Sequence, residues 1–219
     1  MHLLVQNLIN IKDKIKTYLV DLNKKNQTKI IAVSKTFKLE KILPLIEYGH
    51  VHFGENKVQE ALDKWSEVKK NDLNIKLHMI GKLQTNKVKF AVKIFDYIHS
   101  VDSEKLAKKI SEEQNKINKK IKVFIQVNIG NEDQKSGVNK DDLEKLVVYC
   151  KNTNLDLVGL MCIPPFDIDP TNHFNEMRKL NNKYGFTELS MGMSSDYLIA
   201  AENSSTFLRI GTSIFGQRF

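Results

Sequence analysis

Cysteine is nearly missing from the 219-residue chain: Cys150 and Cys162 are the two, each among apolar neighbours. Neither belongs to a CxxC pair and no Cys/His cluster has zinc spacing, which excludes a disulfide framework and points to a reduced, cytoplasmic setting. Long apolar runs are missing as well. No stretch of about 18 apolar residues occurs, so no transmembrane helix is expected. The start, Met1 to Asn7, lacks a basic segment leading into a long apolar one, so no secretory signal is expected. No Walker-type loop or GxGxxG occurs. Glycine and proline number only 10 and 4. No Pro/Gly-rich or low-complexity stretch divides the chain, so residues 1–219 are expected to form a single domain. Arginine is scarce: of 34 basic residues only Arg178, Arg209 and Arg218 are Arg, leaving 31 Lys.

What is present is ordinary for a globular protein, with 41% apolar and 27% charged residues. A chain this long buries roughly 70% of its unfolded surface and needs no covalent staple. The net charge is +8, but lysine is spread along the whole chain. Its densest stretch, Lys105 to Lys122, is interleaved with Glu104, Glu112 and Glu113 at helical spacing. That pattern reads as a solvated helix face, so no nucleic-acid partner is required. Against this background a single arginine, Arg209, stands out.

The first 25 residues read as an amphipathic helix, with Leu4, Leu8, Ile11, Ile15, Leu19 and Leu22 at steps of three and four. Its apolar stripe is the kind that packs on a core, and no membrane role is expected. Then apolar runs alternate with helical patterns. The predicted strands are residues 29–35, 50–56, 76–82, 97–102, 122–128, 155–163, 188–193 and 205–212. Leu39, Ile42, Leu45 and Ile46 form one intervening helical stripe, and Leu143, Leu146, Val147 and Cys150 another. Asp102-Ser103-Glu104 and Asn139 to Asp142 carry helix N-cap signals. Eight strands alternating with helices predict an α/β fold, a TIM-like (β/α)8 barrel with an N-terminal helix; a doubly wound open sheet is the alternative.

Unusual residues collect at the predicted C-terminal strand ends: Lys35, Gly54-Glu55-Asn56, Gly81-Lys82, Asp102, Asn128, Arg209 and Gly211-Thr212. In a barrel these ends converge on one mouth, where active sites are built. Lys35 would rise into that mouth from an apolar wall. Desolvation lowers an amine's pKa and suits it to Schiff-base chemistry, although lysines at strand ends are usually solvated. Ser190 to Asp196 and Arg209 to Thr212 are two strand-to-helix turns, each with a glycine and a hydroxyl residue. Separately they are what turn glycines and a helix N-cap produce. Together they make a phosphate cradle after strands seven and eight. With Lys35 across the mouth, they point to a phosphate-bearing aldehyde held as an imine.

Seven collinear segments resemble the pyridoxal phosphate homeostasis proteins, whose barrel is like the N-terminal domain of alanine racemase. They are Ala32–Thr36, Phe53–Asn56 with Gln59-Glu60, His78–Gly81 with Leu83–Lys87, Lys135–Gly137, Gly159–Pro165, Ser190–Ser194, and Arg209–Thr212 with Phe215-Gly216. The resemblance runs from about residue 30 to the end and implies a pyridoxal 5'-phosphate (PLP) site. Lys35 would carry the cofactor as a Schiff base. Ser194, Gly211 and Thr212 would hold the phosphate, and Arg209 would lie beside the pyridine nitrogen. Asn56 and His78 would line the pocket. Met161 would face the ring, a position that equally suits a core residue.

A guanidinium beside the pyridine nitrogen disfavours its protonation and weakens the ring as an electron sink. Racemisation also needs a second acid/base group. Alanine racemase takes that group from an additional C-terminal domain, which a chain closing at Phe219 directly after the eighth strand is expected to lack. The expectation is a monomeric PLP reservoir or carrier for intracellular vitamin B6 and amino-acid balance, serving PLP-dependent apoenzymes. A weakly active amino-acid racemase is the alternative. The histidines His50, His52, His78 and His99 lack partners of metal-binding spacing. Glu55 and Asp102 as a glycosidase pair have no readable separation.

Overall fold

The computed structural model describes residues 1–71, 74–132 and 134–217; Arg218 and Phe219 lie outside them. Eight parallel strands close into one barrel in sequence order. They are β1 (Lys29–Val33), β2 (His52–Glu55), β3 (Lys76–Met79), β4 (Tyr97–Val101), β5 (Lys122–Val127), β6 (Asp156–Cys162), β7 (Glu188–Ser190) and β8 (Phe207–Ile210). The ring closes where β1 pairs with β8, Ile31 opposite Arg209 and Ala32 opposite Ile210. All eight predicted strands form, each within its predicted range and most trimmed at the ends. Of the unusual strand-end residues, Lys35, Asn56, Gly81, Lys82, Asp102, Asn128, Gly211 and Thr212 leave the ladder, whereas Gly54, Glu55 and Arg209 stay in it.

Around the barrel lie α1 (Leu3–Asp21), α2 (Leu39–Glu47), α3 (Val58–Asn71), α4 (Val88–Ile94), α5 (Glu104–Lys116), α6 (Lys140–Lys151), α7 (Thr171–Lys183), α8 (Tyr197–Glu202) and α9 (Thr212–Phe215). Ser103 caps α5, its hydroxyl accepting from the Leu106 N–H at 3.4 Å. Asn139 stands at the N-cap of α6 without a side-chain bond. The N-terminal helix ends at Asp21, short of residue 25, and Leu22 is 40% exposed. Leu4, Leu8, Ile11, Ile15 and Leu19 are buried as the stripe predicts. The helix is pinned to the end of the chain: Asn7 Nδ2 donates to the Ile214 carbonyl at 2.9 Å, and Tyr18 Oη to Glu202 at 2.9 Å. Among the described residues no helix is long and apolar enough to cross a membrane.

Side chains alternate along each strand. One set packs outward on the helices and forms the larger core, which includes Ala32, Phe53, Leu77, Met79 and Ile210. The other set fills the lumen, where Ile31, Phe124, Met161 and Phe207 form a separate cluster. That second core is a plug, so the mouth has a solid floor, as expected of an eight-stranded barrel. Gly159 shows how tightly the strands approach. A Cβ there would run into the Glu188 carbonyl oxygen of β7 and lie 2.7 Å from its carbon. Gly159→Ala is therefore expected to cost about 2–4 kcal/mol, read as a lowered midpoint in urea unfolding.

Candidate functional site

A cavity of about 810 Å³ opens at the C-terminal ends of the strands. Lys35, Asn56, Ser194, Arg209, Gly211 and Thr212 all line it, from the ends of the four neighbouring strands β7, β8, β1 and β2. The wall is basic, since Lys82 and Lys135 join Lys35 and Arg209. Asp102 and Asn128 do not line it. Asn128 instead ties down its own loop, Oδ1 accepting from the Glu132 N–H at 3.2 Å and Nδ2 donating to the Glu132 carbonyl at 3.0 Å.

Lys35 sits between two anchored neighbours. The Ser34 N–H donates to the Gly54 carbonyl at 3.0 Å, and its hydroxyl to Glu55 at 2.8 Å. Thr36 takes a left-handed conformation with φ 70°, a region that costs a non-glycine residue on the order of 1 kcal/mol. Its N–H is held by the Glu60 carboxylate at 2.5 Å. Lys64 of α3 joins these parts, donating to the Ser34 carbonyl (3.0 Å), Glu55 (2.9 Å) and Glu60 (3.0 Å). Trp65 Nε1 completes the set on Glu55 at 3.0 Å. Burial pushes the fully buried Glu55 carboxyl up, against the pull of Trp65, Lys64 and Ser34. This support behind Lys35 was not legible in the sequence. Its one trace is the i, i+4 spacing of Glu60 and Lys64, which alone reads as a surface pair.

Contrary to the expectation from the sequence, the two turns do not face Lys35 across the mouth: β8 is bonded to β1, with Ala32 opposite Ile210, so they stand beside it, and they are stitched together. The Ser194 hydroxyl accepts from the backbone N–H groups of Gly211 and Ser213, each at 3.3 Å. Gly192, at φ 92°, lets its turn pass so close to α8 that a Cβ would overlap that of Ala200. Asp196 Oδ1 accepts from the Met193 N–H at 2.6 Å and fixes the bend. Arg209 is 4% exposed. Its Nη1 donates to Ser190 Oγ at 2.7 Å and its Nη2 to the Cys162 carbonyl at 2.8 Å.

Two expected lining residues lie deeper. Met161 faces inward but is fully buried in the lumen plug with Ile31, Phe124 and Phe207. Ile163, the next inward residue on that side, takes the place at the cavity wall. His78 is likewise fully buried, and Ile80 replaces it at the wall. A step of two residues moves a side chain about 6–7 Å along a strand, so reading a strand end two residues early places its side chain one layer below the mouth. His78 bonds instead with His52 at 3.0 Å and His99 at 2.9 Å. Among the described residues no group of three or more His, Cys, Asp or Glu side chains is placed to hold a metal ion.

The family profile "Alanine racemase, N-terminal domain" matches residues 7–218. The pyridoxal phosphate homeostasis protein of Aquifex aeolicus is 38% identical over 203 residues, covering 88% of each chain. The chain belongs to the pyridoxal phosphate homeostasis protein family. Among solved structures, PipY of Synechococcus elongatus with PLP bound is 32% identical, with a TM-score of 0.78 over 92% of this chain and 100% of that one. The alanine racemase of Clostridium difficile is 17% identical at a TM-score of 0.73; the alignment takes in 99% of this chain and 57% of that one, and it supports the fold alone. In this homeostasis-family barrel the support around Lys35 is open to test. Lys64→Met leaves Glu55 buried without its counter-charge and is expected to cost about 3–5 kcal/mol at neutral pH. The deficit should shrink on acidification, because a protonated Glu55 needs no partner; thermal melts across a pH series read both effects.

Proposed function

We propose that this chain binds pyridoxal 5'-phosphate in the mouth cavity through an imine to Lys35 and acts as an intracellular PLP reservoir and carrier, not as an amino-acid racemase. One observation carries the reading: Lys35, Arg209 and the turns holding Ser194, Gly211 and Thr212 line one cavity. The residues suit the cofactor. Four cationic side chains and the Ser194, Thr212 and Ser213 hydroxyls meet the needs of a phosphate. Asn56 Oδ1 is a buried acceptor with no protein partner at the cavity wall. PipY, named above, is a relative solved with PLP.

The roles divide as the resemblance implies. Ser194, Gly211 and Thr212 would hold the phosphate, Arg209 would lie beside the ring nitrogen, and Asn56 would line the pocket. His78 and Met161, which the resemblance also places at the pocket, lie in the plug beneath the cavity. When bound, PLP would supply an aldehyde that Lys35 would hold as an imine with release of water, a linkage that hydrolysis would reverse to free the cofactor for apoenzymes. A Cα proton transfer would need an acid/base group poised near neutrality. The described cavity lining contains no His, Tyr, Cys, Asp or Glu; its titratable groups are Lys35, Lys82, Lys135 and Arg209. That favours storage over turnover.

Protein loaded with PLP should be yellow, and borohydride should fix one pyridoxyl group on the peptide carrying Lys35. Lys35→Ala should lose both the band and the label; retention of the same reducible band would overturn the anchor. For the racemase alternative, loaded protein in deuterium oxide should leave the Cα protons of common amino acids unexchanged over many equivalents. Sustained exchange into any one of them would establish turnover instead.

A further inference from the structure

The lumen plug contains an unbroken polar path. Arg209 Nη1 meets Ser190 Oγ at 2.7 Å, and Ser190 Oγ meets His99 Nδ1 at 2.9 Å. His99 Nε2 meets His78 Nδ1 at 2.9 Å, and His78 Nε2 meets His52 Nδ1 at 3.0 Å. Ser190, His78 and His99 are each at most 2% exposed, whereas His52 is half-buried at a second cavity of about 400 Å³ on the opposite end of the barrel. His78 lies flat on Tyr97, with ring centroids 4.3 Å apart at 11°, and His99 on Phe124, 4.3 Å apart at 19°. The rings are thus held in plane by stacking. Among the described residues no carboxylate forms an ion pair with Arg209, and none of the buried atoms of this path lacks a hydrogen-bond partner.

The direction of every bond follows from the one end that has no choice. A guanidinium only donates. Ser190 Oγ must therefore accept from Arg209, and its single proton goes to the neighbour left to it, His99 Nδ1. His99 then carries its proton on Nε2 and donates to His78 Nδ1. His78 in turn donates from Nε2 to His52 Nδ1, which leaves His52, at the second cavity, with its proton on Nε2. In the reverse register Ser190 would accept twice and leave its own buried proton without an acceptor. Burial, the largest cause, holds His52 down at about 4 and His78 and His99 well below their ordinary value, so the three rings are neutral.

We propose that Ser190, His99, His78 and His52 are positioning residues for Arg209, forming a one-way relay of Nε2–H imidazoles that serves a buried guanidinium in place of a carboxylate. Aligned neutral dipoles turn their acceptor ends toward the cation and reinforce one another. Among the described residues no carboxylate is hydrogen-bonded to the guanidinium, Asp196 acting on it only through space, so none is placed to pass a proton forward. Its remaining N–H groups are left for a ligand atom that accepts a hydrogen bond and carries no proton, which in the proposed PLP site is an unprotonated pyridine nitrogen. This last consequence rests on the PLP reading; the tautomer assignment does not.

The first test uses cofactor-free protein. Two-bond ¹H–¹⁵N correlation spectra of ¹⁵N-labelled chain at neutral pH should show His78 and His99 neutral, protonated at Nε2 and bare at Nδ1. An Nδ1–H tautomer or a doubly protonated ring at either position overturns the relay. In Ser190→Ala, His99 loses its fixed donor and should become a mixture of tautomers; a pure Nε2–H form there counts equally against it. The second test uses PLP-loaded protein. His99→Phe keeps the stack on Phe124 but removes both bonds, and should hold PLP about tenfold more weakly with a displaced pH titration of the visible band. His99→Gln can accept from Ser190 and donate to His78, and should restore both to within about threefold. If His99→Phe titrates like the wild type, the positioning role fails; should that variant not fold, the Ser190→Ala spectra decide. If the wild type takes up no PLP, the proposed function fails while the spectra of cofactor-free protein still decide the relay.

Discussion

Arg209 is a cation held almost out of water, and among the described residues no carboxylate forms an ion pair with it. Burying a charge costs several kcal/mol unless its hydrogen bonds are met, and here two neutral acceptors, a serine hydroxyl and a main-chain carbonyl, take two of its five N–H groups. The carbonyl belongs to Cys162 at the end of β6 and the serine to the end of β7. One side chain of β8 therefore locks three neighbouring strands at the level where barrel becomes mouth. The histidines below and the paired turns above are arranged around that constraint. The same arrangement keeps acids off the described wall facing the cavity.

Much of this was legible in the sequence, for identifiable reasons. Eight short apolar runs separated by helical stripes leave few topologies, and the barrel follows from the count. Lys35 and the two glycine-hydroxyl turns were legible because strand ends in this fold face one opening. Depth was not legible. His78 and Met161 carry the inward parity of wall residues, yet they sit one layer down, and parity repeats every two residues without recording height. Nor was the support behind Lys35 legible. Glu55, Glu60 and Lys64 meet only because β2 and α3 fold back on the end of β1, and a buried ion pair looks like a surface pair when only spacing is visible. The histidine path is harder still. His52, His78 and His99 come from three strands and Ser190 from a fourth, and no sequence spacing links them.

Lys35 precedes the left-handed Thr36, and its two neighbours are tied to α3 and β2. The cost of the Thr36 conformation is offset by Glu60 and Lys64, so the amine's origin is fixed before any ligand arrives. Fixing the origin of a long side chain reduces the entropy lost when its tip is committed. The neighbouring wall is equally set in advance, since Ser194 is already bonded to the turn it would share with an anion.

A described rim that carries four positive side chains and no negative one also acts at a distance. Field lines gathered in a concave opening raise the local concentration of small anions and repel cations. If the cavity takes the proposed ligand, phosphorylated molecules would be favoured in the approach, by an effect that fades as ionic strength rises and asks nothing of the shape of the pocket.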